Sequence, residues 1–381
     1  MKKMIVTVFA LVGILILTGC VNQSPIHAVA SRSPTAQRTA PNAPSPPKKA
    51  PLPEVQAVRT PWTEGAFQKG VQVYWHTNHD NNDDVALKAD TIFNYVVGLG
   101  ANSVGINFPV YVDGQRPTRT YADAETPNID ELKIVLRQAK LHKLRVVVRP
   151  VIDEKNIVAM GASYWRGTIE PADPHSWFTS YGTFLEPYLD VSKQEGVDEF
   201  VLGTELSSLQ TAQGEWDQVK ANAQRHFSGK LSFSINWTTY QQNIPGPFEE
   251  TGLDAYPQFP SLSDDATVEQ VSASWNQWLA ATRATGRSMT LQEVGIPAQP
   301  GVYKNPANWG SSQQVTASGE RIQATWFTAA CQAAHAHQAE GIYFWNVDIN
   351  ADVTGASRAT ESTGSFIGRA GEAAIKQCFA Q

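Results

Sequence analysis

The sequence predicts a (β/α)8 barrel carried behind a leader and a tether, and three observations predict it. Eight short runs rich in β-branched and aromatic residues recur along the chain, and stretches of helical periodicity lie between them. Strict alternation implies a parallel sheet covered by helices, and eight such units in about 310 residues fit a closed ring better than a doubly wound sheet. After the first run stands His76-Thr77-Asn78-His79-Asp80 instead of a glycine-rich phosphate loop, which counts against a dinucleotide fold.

Residues 1–19 read as a secretory leader: Lys2 and Lys3 supply the charged start, and Ile5 to Leu17 is an almost unbroken apolar run. That run is too short to span a bilayer comfortably. Leu17-Thr18-Gly19-Cys20 closes it and resembles the lipobox of bacterial lipoproteins. By that resemblance Cys20 is the lipidated first residue of the mature chain, and it anchors the protein to a membrane because each buried CH2 contributes about 0.8 kcal/mol. Val21 is not the aspartate associated with inner-membrane retention, so an outer membrane is expected in a Gram-negative cell and the cell surface otherwise. Residues 20–61 are rich in Pro, Ala and Ser and nearly free of aromatics, the composition of a disordered tether. The barrel is expected over 62–381.

The expected strands, in order, are Gly70–Trp75, Ser103–Phe108, Leu144–Pro150, Glu199–Glu205, Leu231–Trp237, Gly252–Tyr256, Met289–Glu293 and Gly341–Trp345. Amphipathic segments between them include Ile129–His142, Trp177–Glu195, Trp216–Phe227, Val268–Thr285 and Gly319–His337. A strand that only packs needs no polar group at its exit. Here the exits carry Trp75-His76, Asn107, Arg149, Glu205, Asn236-Trp237, Tyr256, Glu293 and Trp345-Asn346. A barrel builds its active site from those ends and the loops after them.

Two of these residues carry the chemistry. Glu205 ends the fourth strand and Glu293 the seventh, on facing sides of an eight-membered ring. Hydrolysis of a glycosidic bond with retention needs two carboxyl groups about 5–5.5 Å apart, one to protonate the leaving oxygen and one to attack the anomeric carbon. A lone glutamate at a strand end is more often solvated or ion-paired. The joint placement is what points to catalysis.

The order of motifs adds a resemblance. Arg149-Pro150-Val151-Ile152-Asp153, Tyr164-Trp165-Arg166-Gly167, Gly203-Thr204-Glu205, Asn236-Trp237, Asp254-Ala255-Tyr256 and Glu293-Val294-Gly295 together resemble glycoside hydrolase family 113, of clan A. That family's characterised members are retaining β-1,4-mannanases, so the resemblance implies Glu205 as acid/base and Glu293 as nucleophile. It also implies that the Tyr256 hydroxyl bonds the nucleophile and that Trp345 is the platform under the cleaved sugar. One departure stands out: many clan members have Asn before the acid/base, where this chain has Thr204. Asn236 or Asn107 is the candidate to take over the contact with the sugar 2-hydroxyl.

Other candidates have open readings. Arg149 can bond Glu293 or form a purely structural ion pair. Trp165 and Arg166 fall in the long loop after the third strand and are expected to line the cleft, as are Trp75 and Trp237. His76, His79, Asp80, Asp83 and Asp84 could gather around a cation, but retaining hydrolysis needs no metal, and neither metal nor cofactor is expected. Cys331 and Cys378 can pair in an oxidising compartment. The formal charge of −6 with no basic block argues against nucleic acid. The expected partner is a polysaccharide or oligosaccharide, met by a monomer. Its sugar stays open between mannan, another β-glycan and an exopolysaccharide of the cell's own making. A barrel that binds glycan or serves envelope assembly without cleaving it would need the aromatics but not the acid pair.

Overall fold

The computed structural model describes residues 54–161, 163–282, 289–309, 314–356 and 362–381. The leader, Cys20 and the tether as far as residue 53 lie outside these, as does the last part of the helix expected to reach Thr285.

Eight described strands close a ring: β1 (Gln68–Tyr74), β2 (Ser103–Val112), β3 (Arg145–Ile152), β4 (Glu199–Thr204), β5 (Lys230–Asn236), β6 (Thr251–Ala255), β7 (Thr290–Val294) and β8 (Gly341–Asp348). Each runs parallel to the next, and β8 pairs with β1 to shut the barrel. A two-residue strand, Thr120–Tyr121, adds antiparallel to the end of β2. The outer shell is α1 (Asn82–Gly98), α2 (Ile129–Leu141), α3 (Pro174–Gln194), α4 (Gln213–His226), α5 (Trp237–Gln241), α6 (Val268–Thr282), α7 (Ala317–Ala336) and α8 (Ala370–Phe379).

Local chemistry explains these elements. Both faces of a parallel strand are buried, so strands read as continuous apolar runs; Val146-Val147-Val148 in β3 is such a run, buried throughout. Helix α2 opens on a capping box, with the Asn128 side chain accepting from the Glu131 amide at 3.0 Å and the Glu131 carboxylate accepting from the Asn128 amide at 2.9 Å. Asn81 caps α1 and places Asp83 and Asp84 in its first turn, the end of a helix that favours negative charge.

Most of the expected strands shift by a residue or more at one end or both. Three moved boundaries bear on the site or on where the barrel domain begins. The first strand stops at Tyr74, one residue before Trp75. The fourth stops at Thr204, and Glu205 follows in a left-handed conformation, φ 55°. The tether does not run to residue 61: the Gln56 amide donates to Asn94 at 2.7 Å, His142 lies 2.7 Å from the Gln56 carbonyl, and the Val58 side chain is buried. An apolar anchor and two fixed hydrogen bonds hold this stretch on the barrel despite its composition.

The N-terminal ends of the strands enclose a polar plug. Arg145 donates to Glu199 at 2.6 Å and to the Tyr343 hydroxyl at 3.0 Å, and that hydroxyl donates to Gln68 at 2.9 Å. Buried polar groups must be paired in this way or they cost stability. The C-terminal ends of the strands hold the other charged cluster.

Candidate active site

Glu293 lies near the end of β7, and its two oxygens have different partners. Arg149 Nη2, from β3, donates to one at 2.9 Å, and the Tyr256 hydroxyl donates to the other at 2.7 Å. Burial and the neighbouring negative Glu293 hold the Tyr256 phenol protonated, far above its ordinary range, so it acts as a donor. Arg149 is wholly buried and uses the same nitrogen for both oxygens of Asp254, each at 3.1 Å. Burial would lower the Arg149 pKa, but Asp254 and Glu293 overcome it and hold the guanidinium charged.

Glu205 faces a different pair of donors. Asn236 Nδ2, at the end of β5, donates to one oxygen at 2.6 Å, and Arg166 Nη1 donates to the other at 2.8 Å. Burial raises the Glu205 pKa above its usual range; Arg166 opposes this and the charge of Glu293 reinforces it. Left-handed backbone at a residue with a side chain costs of order 1–3 kcal/mol and persists where surrounding bonds enforce it. Here the Glu205 amide donates to the Ser234 carbonyl at 2.8 Å. Ser234 donates in turn to Asp254 at 2.7 Å. One hydrogen-bonded network therefore runs from Glu205 through Ser234, Asp254 and Arg149 to Glu293.

Arg166 is fixed from behind by the Ile152 carbonyl, which accepts from its Nε at 2.9 Å, and by Glu154 at 3.4 Å. The indole of Trp165 folds back onto Gly167 and stays half-buried. Trp237 stands edge-on to Tyr256, ring centres 5.6 Å apart, and Trp345 edge-on to Tyr74, also at 5.6 Å. Trp237 and Trp345 are both half-buried, and Trp237 reaches Glu293 only through Tyr256, which bonds it.

Two expected site residues are not placed to meet a sugar. Trp75 is 3% exposed and packs in the main core, because alternation along β1 sends it away from the face that carries Tyr74. Asn107 is fully buried, with its amide donating to Gln72 at 2.8 Å and to the Val73 and Gly105 carbonyls. Asn236 does stand in the site, as a partner of Glu205. Its amide holds Glu205, and its oxygen caps α5 by accepting from the Thr238 amide at 2.8 Å, so it positions the carboxylate. The residues suggested as a cation cluster are spread out: His79 pairs with Glu131 at 3.2 Å and Asp80 with Lys88 at 2.6 Å. Among the described residues, the one grouping of potential ligand atoms is Cys331, His335 and Cys378, and its two cysteines form a disulfide.

Four contributors have no role assigned from the sequence, although one of them, Asp254, falls within the Asp254-Ala255-Tyr256 motif. Asp254 and Ser234 are the hinge of the network, and a buried Asp inside the apolar run Gly252-Leu253-Asp254-Ala255 was the available signal. Tyr74 lies within the electrostatic reach of Arg166 and Glu293. Trp309 meets Tyr256 edge to face at 5.7 Å.

Comparison with known proteins agrees with this architecture. Among curated proteins no sequence relative matches. Solved structures that match include a GH113 β-1,4-mannanase in complex form (TM-score 0.70, 16% identity, 83% of this chain and 99% of that one). The GH113 β-mannanase of Alicyclobacillus acidocaldarius matches with TM-score 0.67 at 16% identity, over 83% of this chain and 97% of that one. A GH5_18 protein of Streptomyces cattleya in complex with Manβ1-4GlcNAc matches more loosely, with TM-score 0.54 at 14% identity over 83% and 80%. Identities this low speak for the fold alone. The model of Glycoside Hydrolase Family 113 matches residues 74–365, nearly the whole ring of strands with its mouth, and to that family of glycoside hydrolases the chain belongs.

Proposed function

We propose that the protein is a retaining β-1,4-mannanase, with Glu293 as nucleophile and Glu205 as acid/base. The observation that carries this reading is the unequal environment of the two carboxyls. Glu293 accepts from a buried guanidinium and a phenol, which between them hold both oxygens of its carboxylate. Glu205 is buried beside that negative charge with a raised pKa, which suits a proton donor.

In the first step the Glu293 carboxylate attacks the anomeric carbon as the glycosidic C–O bond breaks, and Glu205 gives its proton to the departing oxygen. A covalent glycosyl ester results. Esterification removes the charge of Glu293, the Glu205 pKa falls, and Glu205 then takes a proton from the water that cleaves the ester. Mannan as substrate rests on family membership and on the mannanases among the structural neighbours.

Glu293→Gln should abolish turnover. Glu205→Ala should spare aryl glycosides with good leaving groups and gain rate with added azide; an azide-insensitive variant overturns the acid/base assignment. Reducing-sugar release from mannan, glucomannan, cellulose derivatives and xylan tests the substrate, with Glu293→Gln as control. We propose further that lipid on Cys20 holds the enzyme at the cell envelope. The leader pattern supports this, and so does a disulfide, which suits an oxidising compartment. Labelled palmitate incorporated by the wild type but not by Cys20→Ser is the expected result.

A further inference from the structure

Of the eleven tryptophans, six are buried, four are half-buried and Trp309 alone is exposed, at 37% of its surface. It lies in the loop after β7, and its role is not set by packing the core. The indole stands at 85° to Tyr256, the residue that bonds Glu293. Behind it are two positions without side chains. A Cβ at Gly295 would come within 2.8 Å of the indole, and one at Gly364 within 2.9 Å. Gly295 follows the end of β7 directly, so the Glu293-Val294-Gly295 run has a physical reason: only glycine leaves room there for the ring.

A large apolar ring held this firmly, yet left in water beside a polar site, is poised for an apolar face to cover it. The flat face of a pyranose fits, and pockets for such ligands combine aromatic walls with a few polar groups. Trp345, the expected platform under the cleaved sugar, belongs to β8 and leans on Tyr74; Trp309 leans on Tyr256, and the two serve different positions. We infer that Trp309 is a second sugar platform, stacking a pyranose unit of the bound glycan next to the one attacked by Glu293. This rests on the mannanase reading, with a β-1,4-linked mannosyl unit as the ligand.

The test compares a long substrate with a short one. The ratio of kcat/KM for mannohexaose to that for a single-sugar aryl β-mannoside is measured in wild type, Trp309→Ala and Trp309→Phe. The ratio should fall about tenfold in Trp309→Ala, the equivalent of ~1.4 kcal/mol of binding, and stay within a few-fold of wild type in Trp309→Phe. A parallel fall on both substrates would mean that Trp309 acts only by bracing Tyr256, and an unchanged ratio would mean that no sugar stacks there; either overturns the inference. If the wild type cleaves gluco- but not manno-oligosaccharides, the mannanase reading fails, and the same ratio in the gluco series decides the platform. If it cleaves neither, retardation in a gel containing glucomannan decides it: Trp309→Ala must migrate faster than wild type, and equal migration refutes the platform.

Discussion

Glu205 sits between two donors and a like charge, and the balance sets how its acid role responds to pH. The Arg166 guanidinium at 2.8 Å favours the carboxylate, while burial and Glu293 favour the acid. Other groups facing it are Asn236 and, through the network, Asp254 and Arg149. Replacing Arg166 with Met removes the positive charge that lowers the Glu205 pKa, so that pKa must rise. The alkaline limb of kcat/KM, which reports loss of the proton from the free enzyme's acid, should then move to higher pH. A limb that stays in place or moves down would show that Arg166 does not tune Glu205. Arg166 was legible in the sequence as a cleft residue, but its hold on Glu205 was not, because that contact joins residues 39 positions apart across a folded loop. Phase was the other obstacle. At the exit of β1 the run Tyr74-Trp75-His76 offers three rings, and alternation gives the barrel mouth to one parity of residue without saying which. The structure gives it to Tyr74. Asn107 failed for a related reason: a polar residue in a strand can serve a neighbouring strand as well as a ligand, and here Gln72 claims it.

Strands β3, β6 and β7 meet at a single guanidinium nitrogen. Arg149 Nη2 serves Asp254 and Glu293 together, deep within the ring. Removing one partner from a buried ion pair costs about 3–5 kcal/mol, because the other charge is left uncompensated. Arg149→Met should therefore lower unfolding free energy by that order. Its pH dependence has a definite sign. Burial raises the Asp254 pKa well above its usual value and Arg149 opposes it, so the variant raises it further. A carboxyl whose folded pKa exceeds its unfolded one favours folding below the unfolded value and loses that benefit as pH climbs through the folded value. The deficit of Arg149→Met in urea denaturation should be small near about pH 4, around the unfolded carboxylate range, and larger near about pH 8. A deficit equal at both would mean that packing, not charge, is what Arg149 supplies. The strands themselves were legible because parallel strands need unbroken apolar runs, which few other elements show. Helix α5 was not, since five residues are too few to display a period. Nor was the tether's end, where Val58 and His142 decide the matter by tertiary contact.

At the scale of the whole ring, closure depends on joining the last unit to the first. Strand β8 pairs with β1, and Lys69 of β1 donates to the carbonyl of Phe379, at the end of α8, and to that of Gln381 at 2.8 Å. Cys331 in α7 and Cys378 in α8 are joined across a separation of 47 residues, their Cα atoms 5.9 Å apart, so the pairing left open by the sequence is made. Cross-linking a loop of this length restricts the unfolded chain enough to favour the fold by about 4 kcal/mol in the chain-entropy account. For a domain of this size that corresponds to a melting temperature about 6 °C higher. The double variant Cys331→Ser/Cys378→Ser should melt lower by about that amount, and reductant should bring the wild type down to the same level while leaving the variant unmoved. Both cysteines lie in the outer helical shell, so kcat at a temperature well below melting should hardly change. A large loss of kcat with little change in melting would reverse the assignment, making the bridge a support of the catalytic mouth and not a clasp on the last two helices of the ring.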